Sequence, residues 1–461
     1  MMVGCAAQKP VTRPAEPAVP SHWRSVPDTR PRDTAALAEW WRQFRDPVLD
    51  ALVADALAAN PDMNSAQAQL REARARRDVS AAALGVTVTG SATAGRAKSS
   101  RESGGGTTRN NFQAGFDASW EPDVFGGLRR GLEASEADLD ASLENLRDVR
   151  VSLVAEVARN YVELRTGERR LAIAERNLAT LEETHDLTRW RHQAGLATEL
   201  DEAQARTQVE QTRAALPALR TAIVEARHRL AILLGRAPDE MDARLGQAGD
   251  IPDADDRVSM GIPAETLRQR PDVRAAERQV AAQAARLAEA EAARFPSFSL
   301  GGSLGLQSLA VNRLLSSDAG TASLLAGITA PLFDAGRIRG NIAIQDALLE
   351  QAVEGYRAAI LNALGDVENA LAALANGRAR QAELGRATAS SHTAHRIALD
   401  RYAAGLIDFQ SVLDSQRTLL GLEDQLVSGT GEQTTALIQL YKAMGGGWTP
   451  EATPAPVKDP P

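Results

Sequence analysis

Two long stretches of the chain carry apolar residues mainly at steps of three and four. The first series is Leu146, Val149, Leu153, Val157, Tyr161, Leu164, Leu171, Ala174, Leu178 and Leu181. The second series is Leu349, Val353, Tyr356, Ile360, Leu364, Val367, Leu371 and Leu374. Such spacing is typical of the seam of a coiled coil. From Gly127 to Trp190 a helix would reach roughly 95 Å, which is far longer than a globular domain needs.

Four shorter segments alternate between apolar and polar residues, which predicts strands over residues 86–94, 112–120, 297–306 and 323–332. Each has about nine or ten residues, the length of a tilted membrane strand. A soluble hairpin with one face over a core shows the same alternation. The apolar seams of the long helices are expected to pack against one another, however. They leave no evident apolar surface to cover two hairpins. The strands also carry aromatic residues of the kind found in outer-membrane girdles, namely Phe112, Phe116, Trp120 and Phe298.

Four strands are too few to close a barrel, and an open sheet edge in lipid leaves backbone groups unpaired. We therefore expect the chain to oligomerise if it spans a membrane. Two copies would give eight strands with a filled interior, whereas three would give twelve strands and a lumen. The polar strand faces are rich in Ser, Thr and Gln, which suits a watery interior and favours three copies.

The chain also repeats itself with a period of about 210 residues, which predicts an internal duplication. The matched pairs are Pro61 with Pro271, Asp62 with Asp272, Gly127 with Gly336, Gly131 with Gly340, Gly195 with Gly405, and Gly235 with Gly445. The expected repeats are residues 33–245 and 263–447, joined by a linker at 246–262. Each holds a helix, two strands and a long helical hairpin, at 127–236 in the first repeat and 338–446 in the second. Residues 448–461 are expected to form a disordered tail.

Charge and composition exclude several functions. The net charge is −8 and no basic stripe is present, which argues against nucleic acid as a partner. No run of about 18 apolar residues occurs, so we expect no transmembrane helix. His392 and His395 lie one helical turn apart, but the sequence places no acidic or cysteine partner with them, so we expect no metal site. No enzyme motif and no cofactor site emerge.

The only cysteine, Cys5, follows a small residue in "MMVGC", as in the lipidation site of a bacterial lipoprotein. The Pro- and Ala-rich residues after it are typical of a flexible tether. We therefore interpret residues 1–32 as a lipoprotein signal remnant and tether. Only four residues precede Cys5, too few for the charged and apolar regions of a secretory signal, so a chance cysteine is an equal alternative.

Several segments between Trp40 and Trp448 together resemble the TolC-like outer membrane factors of Gram-negative tripartite efflux pumps, in particular their NodT-type lipoprotein branch. They are "WWRQFRDPVLDALVADALAANPDM", "WEPDVFGGLRR", "IPAETLRQRPDVRAAERQV", "RFPSFSLGGSLG", "PLFDAGRIRGNI" and "LYKAMGGGW". The resemblance implies a mainly α homotrimer, in which a 12-stranded outer-membrane β-barrel continues into a long α-helical tunnel across the periplasm.

In function, the resemblance implies a passive exit duct for small molecules, with no catalytic residue and no cofactor. Its expected partners are two further copies, outer membrane lipid, a periplasmic adaptor and an inner-membrane transporter of the RND type. A lipid anchor at Cys5 would hold it to the outer membrane. Two alternatives stay open: the same channel in a type I protein secretion system, and a soluble coiled-coil scaffold.

The resemblance also assigns roles to individual residues. The expected strand-to-helix joints contain Pro122, Gly126, Gly127, Pro331 and Gly336. The expected periplasmic gate contains Asp414, in a ring of acidic side chains, together with Tyr402; Ile407 and Asp408 stand where some relatives have a basic gate residue. The expected adaptor-docking hairpin tips are Gly195, Leu196, Gly405 and Leu406. On the residues alone, Asp414 also fits an ordinary solvated helix position, and Gly195 and Gly405 fit simple helix caps.

Overall fold

In the computed structural model, residues 19–24, 37–241, 245, 248–253 and 263–449 are described. Cys5 lies outside these residues, as do most of the tether, most of the linker at 246–262 and residues 450–461 of the tail. The chain divides into two compact units. We call Ala68–Leu143 with Ala275–Ala358 the strand unit, and the described parts of Glu16–Gln67, Glu144–Arg274 and Ala359–Pro461 the helical unit.

Helices dominate the structure. They are α1 Pro47–Ala59, α2 Pro61–Ala82, the single turn α3 Arg101–Gly104, α4 Gly127–Gln193, α5 Glu199–Leu233, α6 Pro263–Gln269, α7 Pro271–Ala292, α8 Arg337–Ala403 and α9 Phe409–Ala443. Short 3-10 helices occupy Trp40–Phe44, Pro238–Glu240, Val311–Arg313 and Ser317–Ala319. The strands are β1 Thr87–Lys98, β2 Thr108–Trp120, β3 Ser297–Ser308 and β4 Gly320–Thr329.

The strand bounds differ from those expected at the hairpin ends. β1 continues to Lys98 instead of ending at residue 94, because Gly95–Lys98 pair with Thr108–Asn111 through the backbone, whatever their polarity. β4 begins at Gly320 and ends at Thr329, although the apolar alternation continues to Leu332. Pro331 has no N–H to donate to a ladder, so the alternation outlasts the strand.

The two halves have matching elements. Helices α8 and α9 each begin 210 residues after α4 and α5, and the paired helices have identical lengths of 67 and 35 residues. The contact between the residue before each 22-residue helix, α2 or α7, and the end of the second hairpin helix of the same half is also repeated. Asn60 Nδ2 donates to the carbonyl of Leu233 at 2.8 Å, and Arg270 Nη1 donates to that of Ala443 at 3.1 Å.

All four long hairpin helices end in the same motif. A glycine with positive φ follows each helix, at Gly195, Gly235, Gly405 and Gly445. At the first, the N–H of Leu196 donates to Arg191 O at 2.8 Å and that of Gly195 to His192 O at 2.9 Å. This is the Schellman arrangement, which satisfies the last carbonyls of a helix. It also explains why glycine recurs at these four points.

Two of these glycines differ in their surroundings, which predicts different costs of substitution. At Gly195 a Cβ atom would meet nothing within 4 Å, whereas at Gly235 it would lie 2.5 Å from the carbonyl oxygen of Ala59. Gly195→Ala is therefore expected to lower the free energy of unfolding by about 1–2 kcal/mol, the cost of the left-handed backbone alone. Gly235→Ala should cost clearly more, as measured by urea unfolding of the purified protein; equal losses would contradict this.

The four strands form one antiparallel sheet in the order β1-β2-β3-β4. Directly opposite residues of antiparallel strands share a face. The register therefore places Val88, Ala118, Gly302 and Leu324 in one row, and Gly90, Phe116, Leu304 and Ala322 in the next. The other face carries Thr, Ser, Gln, Asp and Gly, with Leu325 as its only large apolar residue.

The apolar face of the sheet is uncovered within the described chain. The exposed fractions are 65% for Phe116, 67% for Leu304, 80% for Leu324 and 69% for Ile328. Neither β1 nor β4 has a second neighbour in the sheet. The interpretation that the chain's own helices do not cover its hairpins therefore agrees with the structure.

The helical unit has a conventional buried core. It includes Trp40, Leu49, Val154, Leu164, Leu230 and Tyr441, all less than 3% exposed. The rings of Trp40 and Tyr441 stack with their centroids 5.1 Å apart. Because this core joins the first residues of the described chain to the last turns of α9, both ends of the duplicated sequence are held in one unit.

Among the described residues, one helix, α8, is long and apolar enough by length and composition to cross a membrane. The sequence contains no uninterrupted apolar run of that length, but the Ala-rich composition of α8 raises the mean hydropathy of this helix. Core helices of soluble proteins share this length and composition.

Candidate channel, gate and docking residues

The strand-to-helix joints use positive backbone angles, but not at every glycine expected. Gly126 has φ of 80° and Gly336 has φ of 88°, and the non-glycine Ala335 joins them at 53°. Gly127 is the first residue of α4 and is not among the residues with positive φ. Gly126 therefore makes the turn at the first joint, and Gly127 begins the helix.

Proline and aspartate complete these joints. Pro122 lies two residues after β2 and Pro331 two residues after β4. Asp123 accepts hydrogen bonds from the N–H groups of Leu128 (3.2 Å) and Arg129 (2.9 Å) at the start of α4. Asp334 accepts from Gly336 (3.0 Å) and Ile338 (2.7 Å) at the start of α8, and these N–H groups hold the pKa of its carboxyl below the usual value.

Sequence analysis overlooked the two aspartates, although each precedes a glycine and a helix in the chain. Their carboxylates satisfy N–H groups that the first turn of a helix leaves unpaired. They also place negative charge at the positive end of the helix dipole. Each joint is therefore a helix cap as well as a change of chain direction.

The three expected gate residues lie around the second hairpin turn, in different environments. Asp408 is the N-cap of α9 and accepts from the hydroxyl of Ser411 at 2.6 Å and from its N–H at 3.0 Å. These two bonds lower the pKa of Asp408. Its carboxylate therefore has a structural role within the chain.

Tyr402 is buried in a small cluster with Phe409, Val412 and Leu413. Its ring lies 5.3 Å from that of Phe409, and the guanidinium carbon of Arg191 lies 4.7 Å from its centroid. Burial raises the pKa of Tyr402, and the charge of Arg191 opposes this. Arg191 also donates to the carbonyl of Ala403 at 3.2 Å, so it connects the end of α4 with the end of α8.

Asp414 is exposed to solvent, unlike the buried Tyr402. Its neighbours Val412, Leu413 and Gln416 are buried. Gln410 Nε2 donates to its carboxylate at 2.9 Å from one turn earlier in α9. The structure therefore separates the expected gate residues into a buried cluster at Tyr402, a cap at Asp408 and a solvated carboxylate at Asp414.

The two hairpin tips have the same backbone design and exposed leucines. Gly195 and Gly405 have φ of 72° and 73°. Leu196 is 68% exposed and Leu406 is 72% exposed. After the first tip, Thr198 and Asp201 form a capping box that starts α5. The glycines are therefore helix caps, and the leucines beside them are available for contact.

The histidine pair has an acidic neighbour that the sequence did not reveal. His392 Nε2 lies 3.0 Å from Glu423 Oε1, and Asn177 Nδ2 donates to the other oxygen of Glu423 at 2.9 Å. The statement that no acid accompanies His392 was therefore wrong, because α9 brings Glu423 back to α8. His395 instead lies 3.2 Å from the hydroxyl of Ser415, and burial lowers its pKa. Over the described ranges, no group of three or more potential ligands is placed to hold a metal ion.

Comparisons with known sequences give one consistent result. The profile of the family described as "Outer membrane efflux protein" matches residues 52–236 and 262–446. The pyoverdine export outer membrane protein OpmQ of Pseudomonas aeruginosa is 33% identical over 461 residues, covering 97% of this chain and 95% of OpmQ. The outer membrane protein OprJ of the same species is 31% identical over 448 residues, covering 96% of this chain and 93% of OprJ.

Solved structures agree with this result. The outer-membrane channel OprN matches with a TM-score of 0.86 and 34% identity, over 94% of this chain and 99% of OprN. The open state of the Neisseria gonorrhoeae MtrE outer membrane channel matches with a TM-score of 0.85 and 28% identity, over 94% of this chain and 97% of MtrE. The expected mainly helical fold with a small antiparallel sheet, and the resemblance to the outer membrane proteins of efflux pumps, are thus confirmed. This chain belongs to the outer membrane efflux protein family.

Proposed function

We propose that this chain is the outer-membrane exit channel of an efflux pump, through which small molecules pass without chemical change. The main support is the four-stranded sheet, which has one uncovered apolar face, one polar face and two edge strands that each lack a second neighbour. Joining β1 of one copy to β4 of the next satisfies both edges. Three copies close a ring of twelve strands around a polar lumen.

The channel works with a periplasmic adaptor and an inner-membrane transporter of the RND type. Relatives such as the "Toluene efflux pump outer membrane protein TtgF" of Pseudomonas putida are named as pump components, which supports such partners. The exposed tip leucines, Leu196 and Leu406, offer apolar contacts to the adaptor. Gly195 and Gly405 hold those leucines on a fixed turn.

Membrane fractionation tests this function directly. We expect a trimer in the outer membrane that resists salt extraction and changes its electrophoretic mobility on heating. Deletion of the gene should raise the accumulation of exported dyes, and the wild-type gene should restore their export. A monomer in the soluble fraction would overturn the proposal in favour of a scaffold, and restored protein secretion without dye export would favour a type I secretion channel.

We further propose that Asp414 of three copies forms an acidic ring at the periplasmic gate, held by the buried Tyr402 cluster and by the Asp408 cap. Asp414 lies on the exposed face of α9, close to the second hairpin turn, which supports this. Carboxylates that converge on one axis repel one another and attract cations. The ring therefore narrows the bore and gives it a negative charge. The gate opens when contacts around the ring shift.

Asp414→Ala is expected to raise single-channel conductance in planar bilayers or to weaken block by divalent cations, because a ring of three charges is lost. Glu383→Gln is a matched control, since Glu383 is exposed on α8 and already pairs with Arg386. Conductance of the control should equal that of the wild type. Identical currents in Asp414→Ala and wild type would remove Asp414 from the gate.

Lipidation of Cys5 is proposed as the membrane anchor, supported by the small residue before it and the Pro-rich stretch after it. Cys5→Ser is expected to abolish incorporation of labelled palmitate in cells, because the thiol that carries the lipid is gone. Labelling equal to that of the wild type would contradict the lipid anchor. It would not bear on the proposed barrel.

A further inference from the structure

The apolar face of the sheet ends abruptly at the β1–β2 hairpin. In β1 this face continues from Ala94 to Arg96 and Lys98, which pair with Asn110 and Thr108 of β2. Because paired residues share a face and side chains alternate, both cations stand on the same face as the apolar rows. One row beyond Ala94 and its partner Phe112, the face changes from apolar to basic.

Arg96 and Lys98 are exposed, and within the part of the chain that the structure describes neither is recorded in an ion pair. Residues 95–110 contain four basic side chains and one acidic side chain, Glu102. Arg101 lies in the turn, and Arg109 lies on the opposite face, since it pairs with Ala97.

The other end of the apolar face has a different chemistry. There Phe125 stacks on Phe295 with ring centroids 4.8 Å apart, and Trp120 donates its indole N–H to the carbonyl of Leu84 at 3.1 Å. Aromatic rings with a polar handle favour a membrane interface. From Trp120 to Asn110, the partner of Arg96, the strand is roughly 34 Å long, and at a tilt of about 40° it spans roughly 26 Å of membrane, close to the height of the apolar band of outer-membrane barrels. The basic pair therefore lies just beyond the hydrocarbon layer, at the end away from the strand-to-helix joints.

We propose that Arg96 and Lys98 bind phosphate groups on the headgroups of outer-leaflet lipids. This rests on the proposed function, because it requires the apolar face to contact lipid and the hairpin turns to face the exterior. An arginine binds phosphate through two parallel hydrogen bonds, and a lysine binds it as a point charge. The long stems of both residues lie along apolar surface while their charged ends reach the headgroups. Three copies carry three such pairs around the barrel.

The test uses the full-length oligomer in phosphatidylcholine nanodiscs that contain lipid A as the phosphorylated lipid. The double variant Arg96→Ser with Lys98→Ser is expected to retain on the order of tenfold less lipid A than the wild type after washing, since each juxtamembrane cation contributes appreciably to anionic-lipid binding. The matched control is Arg101→Ser with Arg109→Ser, which removes the same charge from the turn and from the other face. It should retain lipid A almost as the wild type does.

Three outcomes would overturn the lipid site. Retention by the double variant equal to that of the wild type would show that the cations do not bind lipid. An equal loss in the control would show that net charge alone attracts the lipid. Displacement of lipid A by an excess of inorganic phosphate would show a simple phosphate site.

Failure of the channel function is distinguishable from failure of the lipid site. A chain found as a soluble monomer fails in membrane fractionation, before any nanodisc is formed. A chain that inserts, exports dye and still retains lipid A without Arg96 and Lys98 contradicts only the lipid site.

Discussion

Leu304→Arg is expected to prevent most of the protein from assembling in the outer membrane. Leu304 lies in the middle of β3, between Phe116 and Ala322 in the register, and is 67% exposed on the apolar face. An arginine facing lipid near the middle of a bilayer costs about 2–4 kcal/mol, and every copy in the ring would carry it. The measurement is the fraction of protein recovered from outer membranes as a heat-modifiable oligomer.

Ser303→Arg is the matched control for this change. Ser303 is the preceding residue of the same strand and stands on the polar face, where it pairs with Asp117 and Ser323. In a watery lumen its arginine stays hydrated, so assembly should be close to wild type while conductance falls. Equal assembly defects in the two variants would contradict the assignment of the two faces, and no defect in Leu304→Arg would show that this face does not contact lipid.

Arg165→Ala is expected to produce the largest loss of stability in the helical unit. The side chain of Arg165 is 3% exposed and that of its partner Glu168 is 6% exposed. Arg165 donates to the hydroxyl of Tyr161 at 3.0 Å, to Glu168 Oε2 at 2.8 Å and to the carbonyl of Leu245 at 3.2 Å. Tyr161 in turn donates to Asp46 at 2.7 Å. Removing one partner of a buried ion pair typically costs about 3–5 kcal/mol, and the lower end is expected here because Arg227 still pairs with Glu168 at 3.1 Å.

Arg170→Ala is the control, since Arg170 lies on the same helix and also forms a two-bond ion pair, with Asp424. Its side chain is 36% exposed and that of Asp424 is 47% exposed. Water screens such a pair, so its loss should cost less than about 1 kcal/mol. Urea unfolding of the two purified variants measures both losses. If they are equal, the buried network around Arg165 does not stabilise the unit as we describe.

The local patterns of the sequence predict the elements and the sidedness of the sheet well. Apolar steps such as Leu146 to Val149 and the alternation around Phe116 depend only on near neighbours, and helix and strand periods appear directly in such spacing. The joints were only partly predicted. The roles of Asp123 and Asp334 depend on N–H groups several residues later in the chain, which apolar periodicity does not report.

The Arg165 network was not predicted, for a different reason. Tyr161 meets Asp46 across 115 residues of sequence, and Arg165 meets Leu245 across 80. No local pattern reports contacts of that range, and a buried arginine cannot be distinguished from a solvated one within an amphipathic helix. The proposed gate at Asp414 is harder still to predict, because it involves other copies of the chain.

The two halves of the duplicated chain differ in the contacts that hold their long hairpins. The positions 210 residues after Tyr161, Arg165 and Glu168 hold Leu371, Ala375 and Arg378, so this cluster is not repeated at those positions of α8. Buried ion pairs and hydrogen bonds require a fixed geometry, whereas contacts between apolar side chains are not directional and can shift at a modest cost in free energy. At this level the first hairpin is therefore held more firmly than the second, which carries Asp414.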